Sequence, residues 1–185
     1  MNSRMTTILL ALGMIIVLGV SNSLAAPAAV QPAAVKPAAA AGDYDFTTYG
    51  TGWIPEVLGQ YNWWHARGWG TQAKPKTVGG KWVHIPVPYP ARIADTIMRI
   101  KFVEFCAQST NGAGGTGPNQ LDLYSDYGVF YSGAISWPGD NSTHCYTYTL
   151  PTPTWYPNLG VSVRLNFANT TDMITLYKAW VRIIP

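Results

Sequence analysis

Beyond Asp43 the chain alternates apolar and polar residues with a period of two, in short runs punctuated by Gly, Pro, Asn and Asp. That pattern predicts antiparallel strands with one buried face and one wet face. The clearest run is 160–167, where Val161, Val163, Leu165 and Phe167 point one way and Ser162, Arg164 and Asn166 the other. In 144–150, Tyr146, Tyr148 and Leu150 alternate with Cys145, Thr147 and Thr149, which sends the tyrosines toward the core and puts Cys145 on the threonine face. Further strands are expected at 81–87, 96–108, 120–125, 129–136 and 173–184. Explicit turn sequences link them: Asn111-Gly112 with Gly114-Gly115, Asp126-Tyr127-Gly128, Pro138-Gly139-Asp140-Asn141 and Pro151-Thr152-Pro153. No amphipathic helix of useful length competes. The expectation is an all-β domain, a two-sheet antiparallel β-sandwich of jelly-roll type.

Two segments break the simple phase. In 96–108, Met98, Ile100 and Phe102 read as inward and Arg99 and Lys101 as outward, yet strict continuation would bury Glu104. Either Glu104 is an internal carboxylate, or a bulge near Phe102 shifts the register so that Val103 and Phe105 become core. We favour the bulge, because it also turns Cys106 outward, onto the kind of face that carries Cys145. In 81–87, prolines at 86, 88 and 90 remove ladder donors, so this strand is an edge or leaves the sheet early. His84 is out of phase with Val83 and Ile85 and reads as a surface or hydrogen-bonded structural histidine.

The N-terminal region has a different texture. Arg4, the apolar run from Ile8 to Val20 and the small residues of Ser23-Leu24-Ala25 form a signal-peptide pattern over 1–25. A helix of that run would span only about 20 Å, too short for a comfortable crossing, so no membrane span is expected in the mature form; the alternative is a retained anchor. Residues 26–42 repeat Pro-Ala-Ala-Val-Gln, Pro-Ala-Ala-Val-Lys and Pro-Ala-Ala-Ala-Ala. This Ala/Pro-rich linker is too poor in apolar area to fold and would reach about 45 Å in polyproline geometry. It is a spacer or simply a tail left by cleavage. The β-sandwich domain is expected over 43–185, and the protein is expected to be secreted.

Charged residues are only 11% of the chain and aromatic ones 13%. The surface must therefore take its polarity from Thr, Ser, Asn, Gly and exposed rings, which suits neutral extracellular ligands. The formal charge of +3 is scattered rather than clustered, which argues against nucleic acid as a partner. The only two cysteines, Cys106 and Cys145, read as a disulfide in an exported domain. Such a link would contribute about 4 kcal/mol by the chain-entropy argument. A metal pair or catalytic thiol has no supporting Cys/His spacing.

The stretches Gly68-Trp69-Gly70-Thr71, Gly80-Lys81-Trp82-Val83-His84-Ile85-Pro86-Val87-Pro88 and Asn158-Leu159-Gly160-Val161-Ser162-Val163 resemble a bacterial secreted family of unknown function. Its members carry a Trp-aromatic-His-Ile-Pro-Ile-Pro segment and a Gly-Val-Ser-Val-like strand near the end. The resemblance spans about Gly59 to Phe167 and implies a β-sandwich. It supplies no catalytic residues, and the family pattern lacks this chain's cysteine pair and Trp-rich segment near Trp63.

Enzyme signatures are absent: no zinc-binding helix, nucleophile elbow, phosphate loop or dinucleotide fingerprint. Glycosidase chemistry would need two carboxylates across a cleft. Of the nine acids, most sit in turns, and only Glu56 and Glu104 have aromatic company. Two aromatic groups suggest binding instead. Trp53, Tyr61, Trp63, Trp64 and Trp69 crowd one stretch with Gln60, Asn62, His65 and Arg67, where rings and donors could hold a sugar by stacking and hydrogen bonding. The competing reading has these rings capping the open end of the sandwich as core. The second group centres on Trp180, whose phase with Lys178 and Arg182 predicts an exposed ring unless the N-terminal segment covers it. Calcium is conceivable at Gly139-Asp140-Asn141-Ser142 or around Asp122 and Asp126, although neither spacing matches a defined loop. Asn141-Ser142-Thr143 and Asn169-Thr170-Thr171 are glycosylation sequons. The leading expectation is a non-catalytic extracellular module that binds carbohydrate or a cell-surface glycan. A structural, self-associating surface protein is the alternative, and a glycoside-active enzyme the third.

Overall fold

A computed structural model describes residues 42–185. The expected signal peptide and nearly all of the Ala/Pro spacer lie outside the described residues. The strands are β1 (Tyr44–Thr48), β2 (Ile54–Pro55), β3 (Tyr61–Arg67), β4 (Gly70–Pro75), β5 (Gly79–Pro86), β6 (Arg92–Ile93), β7 (Thr96–Ile97), β8 (Arg99–Ser109), β9 (Gly117–Ser125), β10 (Gly128–Ala134), β11 (Thr143–Thr154), β12 (Gly160–Phe167) and β13 (Ile174–Ile184). The first sheet runs β11-β8-β13-β4-β3, with β1 also paired to β13; the second runs β10-β9-β12-β5-β2. All pairings are antiparallel. From β4 onward the chain crosses repeatedly between the sheets, the connectivity of a jelly-roll sandwich.

One core lies between the sheets. Val83, Ile85, Leu121, Leu123, Val161, Val163 and Leu165 enter from the second sheet, and Ile100, Val103, Phe105, Leu176 and Val181 from the first. Each large apolar side chain sealed there is stabilised by about 1.5–3 kcal/mol relative to exposure. The strand at 160–167 keeps its expected bounds and phase.

The phase conflict in β8 resolves as a bulge. Arg182 pairs with Phe102 but Ile183 with Ile100, which leaves Lys101 as the extra residue. Val103 and Phe105 are consequently buried, while Glu104 stays half-exposed. One assignment is corrected: Phe102 faces outward, where the Arg182 guanidinium lies 4.9 Å from its ring. Cys106 and Cys145 are direct cross-strand partners, joined in a disulfide with a Cα–Cα separation of 4.0 Å. β5 stops at Pro86, where the proline run carries the chain out of the sheet.

β1, β3 and β4 were not apparent from alternation. β4 buries Thr71, Ala73 and Pro75, residues that do not read as an apolar face. Next to it, the turn at Gly50 approaches β13 so closely that a Cβ there would sit 2.3 Å from the Tyr177 carbonyl oxygen. Only glycine fits.

Candidate functional site

The structure divides the aromatic-rich stretch between core and surface. Trp53 is only 2% exposed, and its indole N–H donates to the Tyr177 carbonyl at 2.9 Å. A bulge in β13 between Leu176 and Ala179 takes that carbonyl out of the regular ladder, and Trp53 supplies its donor. Tyr61 is 5% exposed and packs edge-on to Trp64 and Phe167. Trp53 and Tyr61 therefore belong to the core rather than to a ligand face, and Trp64 is half-buried against the same core.

The remaining candidates face outward. A register shift between Tyr61 and Trp63 makes Asn62 the extra residue of β3. Trp63, His65 and Arg67 then project from the outer side of this edge strand, opposite Lys74, Gln72 and Gly70 of β4. Trp63 is 47% exposed and Trp69, in the connecting turn, 54%. The Trp63 and His65 rings lie 5.4 Å apart, tilted by 60°. Trp69 lies 5.9 Å from Tyr177, tilted by 35°, and the Tyr177 hydroxyl is anchored on Gln108 at 2.8 Å. Asn62, Trp63, Trp64 and His65 line a shallow groove. Along the strand, Trp63 to Arg67 covers about 13 Å. Asn62 already donates to the Pro75 carbonyl, whereas His65, Arg67, Gln72 and Lys74 carry donors on this strip that are available to a ligand.

Trp180 is half-buried rather than freely exposed, which corrects the expectation from its phase. β1 runs beside it, with Thr47 as its cross-strand partner. Phe102 packs edge-on to its ring at 4.9 Å, and its indole N–H donates to Glu104 at 2.5 Å. Thr147 donates to the other oxygen of Glu104 at 2.7 Å. Alongside, Arg182 makes a two-pronged ion pair with Asp45, and this hydrogen-bonded partner holds the Asp45 carboxyl below its ordinary range. Among the described residues, Glu104 with Cys106 and Cys145 is the one cluster of metal-type ligands, and both its sulfurs are committed to the disulfide.

A second feature escaped sequence reasoning. Across the outer face of the second sheet, β5, β12 and β9 align Pro86, Gly160 and Tyr124 in one row and His84, Ser162 and Asp122 in the next. With no side chain at Gly160, a groove forms between Pro86 and Tyr124, its floor at Gly160 and Ser162. His84 Nδ1 lies 2.7 Å from the Ser162 hydroxyl, so His84 is hydrogen-bonded as expected. Asp122 accepts from Ser132 at 2.7 Å and Gln120 at 3.1 Å. Burial, followed by the Asp122 charge, raises the Tyr124 phenol above its ordinary pKa. The available signal was the outward phase of His84, Ser162 and Asp122 around a glycine.

The oxygen-rich turns are internally satisfied. Asp140 accepts from His144 at 2.6 Å and from the Ser142 amide at 2.8 Å, and Asn141 accepts from the Gly112 amide. Asp126 accepts from Asn158. A calcium ion at either turn would have to displace these donors.

No family model matches the chain, and no curated protein resembles it significantly in sequence. Among solved structures, the CBM36-1 domain of a multidomain xylanase from the hindgut metagenome of Trinervitermes trinervoides is 11% identical, covering 75% of this chain and 96% of its own, with a TM-score of 0.45. The low-affinity xylan-binding module CBM86 from Roseburia intestinalis is 11% identical over 76% of this chain and 96% of its own, with a TM-score of 0.46. The K3 adhesin domain of Lys-gingipain from Porphyromonas gingivalis is 8% identical over 76% and 99%, with a TM-score of 0.43. At these identities and scores no ligand carries over, and the sandwich assignment rests on the strand pairing described above.

Proposed function

We propose that this chain is a secreted, non-catalytic module that binds neutral carbohydrate through the outer side of the β3–β4 hairpin. One observation carries the reading: Trp63 on β3 and Trp69 in the turn that joins it to β4, 47% and 54% exposed, stand beside His65, Arg67 and Gln72. Burying such rings against the apolar face of a sugar removes hydrophobic area from water, while neighbouring donors fix orientation. The low charge of the chain suits a neutral ligand. Residues 1–25 would direct export and 26–42 would hold the module away from its attachment point. The proposal assigns no cofactor.

Retention on insoluble polysaccharides and quenching of tryptophan emission test it. The native protein should be retained on at least one neutral polysaccharide, and Trp63→Ala or Trp69→Ala should weaken retention about tenfold, each ring being worth about 1–2 kcal/mol. Unchanged retention in the double variant would remove the site.

A second reading, self-association at a surface, is favoured by a different patch. Ile54, Val57 and Leu58 are 59%, 47% and 62% exposed and lie close in sequence. Concentration-dependent sedimentation abolished by Leu58→Asp would support it.

A further inference from the structure

Gly160 opens β12, and nothing in the fold asks for a glycine there. Its φ lies outside the left-handed region, and apart from its chain neighbours the nearest atom of the described residues to a Cβ placed on it is Tyr124 Cβ at 3.6 Å, an ordinary contact. Gly50 and Gly70 are the contrast, since a Cβ on either would lie 2.3 Å or 2.6 Å from a carbonyl oxygen of β13. The pairing of β12 with β5 runs unbroken, and its pairing with β9 shifts only beyond Arg164, so no bulge sits at Gly160. Glycine weakens a strand and gives it no side chain to pack. Where neither a bulge, a bend nor a neighbouring backbone requires it, close approach of a ligand is the reason that remains.

What this glycine leaves open is the groove on the outer face of the second sheet. Val83, Ile85, Leu121, Leu123, Val161 and Val163 point into the core, so the alternate positions Pro86, Gly160 and Tyr124, and in the next row His84, Ser162 and Asp122, face outward together. A cavity of about 420 Å³ lies over Gly160 and Ser162, with Pro86, Tyr124 and His84 around it. An adjoining one of about 290 Å³ shares Pro86, Tyr124 and Gly160 and extends to Asp126 and Asn158. The larger part falls within the roughly 300–1,000 Å³ of ordinary ligand sites. Its rim meets solvent, because Pro86 and Asp126 are exposed and Tyr124 and His84 only half-buried.

The lining selects the chemistry. Tyr124 and Pro86 offer two flat rings on either side of a floor without a side chain, surfaces that stack on the C–H face of another ring. No lysine or arginine lines either part of the groove, and Asp126 places a carboxylate at one end, so anions are disfavoured and hydroxyl donors favoured. Asp126 gives one oxygen to Asn158 and keeps the other as an acceptor. At the other end Ser162 holds His84 through Nδ1 at 2.7 Å, which fixes the imidazole and leaves Nε2 available to a ligand. Apolar ring faces flanked by a carboxylate and an imidazole nitrogen match a neutral sugar.

We propose that this groove is a second carbohydrate site, taking a neutral oligosaccharide with one ring between Tyr124 and Pro86 over Gly160 and its hydroxyls toward His84 and Asp126. The proposal rests on the carbohydrate reading and places the site on the sheet opposite the β3–β4 strip.

Backbone ¹H–¹⁵N NMR of the purified protein, titrated separately with cellohexaose, xylohexaose, mannohexaose and a polyproline peptide, tests it. The amides of Gly160, Ser162 and Tyr124 should shift saturably with at least one oligosaccharide, and should do so equally in the Trp63→Ala/Trp69→Ala variant. Gly160→Val, which fills the groove with a residue suited to a strand, should weaken that oligosaccharide about tenfold or more while strand circular dichroism stays native and the denaturant midpoint does not fall. Tyr124→Ala should weaken it to a similar degree with Gly160 untouched. Polysaccharide retention through Trp63 and Trp69 should persist in both variants. If no oligosaccharide moves these amides while polysaccharide is still retained, this inference fails alone. Unchanged affinity in Gly160→Val overturns it as well, and saturable shifts with the polyproline peptide but with no sugar would make the groove a peptide site instead. If no amide anywhere responds to a sugar and no polysaccharide is retained, the carbohydrate reading falls with it.

Discussion

Trp53 donates its indole N–H to the Tyr177 carbonyl at 2.9 Å, while the Tyr177 ring on the opposite side of β13 supports Trp69. One bulged residue thus couples the core to the exposed strip. Trp53→Phe keeps most of the apolar volume but orphans the carbonyl, and should cost about 1–3 kcal/mol in urea unfolding. The same variant should loosen Trp69, read as a red shift and greater acrylamide quenching of its emission. A variant as stable as the native chain would show that the bulge carbonyl finds another donor.

Tyr61 presents the opposite case. Its ring is 5% exposed, and its hydroxyl is buried with no partner among the described residues. Burial and then the Glu56 charge push its phenol well above the ordinary pKa. Tyr61→Phe removes an unsatisfied polar group without opening a cavity, so it should be neutral or stabilise by up to about 1 kcal/mol. A loss above 1 kcal/mol in the same unfolding assay would mean that the hydroxyl has a partner in solution.

How far the sequence could be read depended on how much of each strand's pattern came from burial. β12 alternates cleanly because it is flanked on both edges, by β5 and β9, and Val161 through Phe167 fill one core. The β8 bulge was legible because Glu104 made the unbulged register costly. β3 and β4 were not legible, since the inward positions Thr71 and Ala73 are set by close backbone packing at Gly50 rather than by apolar size. For the same reason the Trp-rich stretch could not be divided beforehand. Trp53 and Trp63 look alike in sequence, and what separates them is the β13 bulge, more than a hundred residues away in the chain, which gives only one of them a buried acceptor. The groove at Gly160 stayed hidden because it depends on which strands flank β12.

Asp172 gathers two loops. It is 6% exposed and accepts from Thr116, from Asn111 at 3.2 Å and from the Asn169 amide at 2.9 Å. Burial raises its carboxyl, yet these donors outweigh burial and leave the pKa below 3.8. A lowered folded value means that its stabilisation is complete above the unfolded pKa and is lost as pH falls through the folded one. Asp172→Asn, which turns an amide donor toward Asn111 and Thr116, should cost about 2 kcal/mol at neutral pH. The gap from the native protein should narrow as pH drops below 3.8. A gap constant down to pH 2 would show that the carboxylate does not titrate with unfolding.

The disulfide offers the final test, because its two sulfurs differ in access. Cys106 is 3% exposed, whereas Cys145 lies on the open face of β11, so a thiol reagent should attack at Cys145. The bridge spans 39 residues, and removing that constraint from the unfolded chain should cost about 4 kcal/mol. The cross-strand ladder around it continues on both sides, from Thr143 with Gln108 to Thr149 with Phe102, so the reduced fold should persist in mild conditions. Cys106→Ala with Cys145→Ala should therefore keep native circular dichroism while its denaturant midpoint falls. Trp180 emission should change as well, since its partner Glu104 lies 3.8 Å from the Cys106 sulfur. An unchanged midpoint would mean that the sheet alone already restrains this loop in the unfolded state.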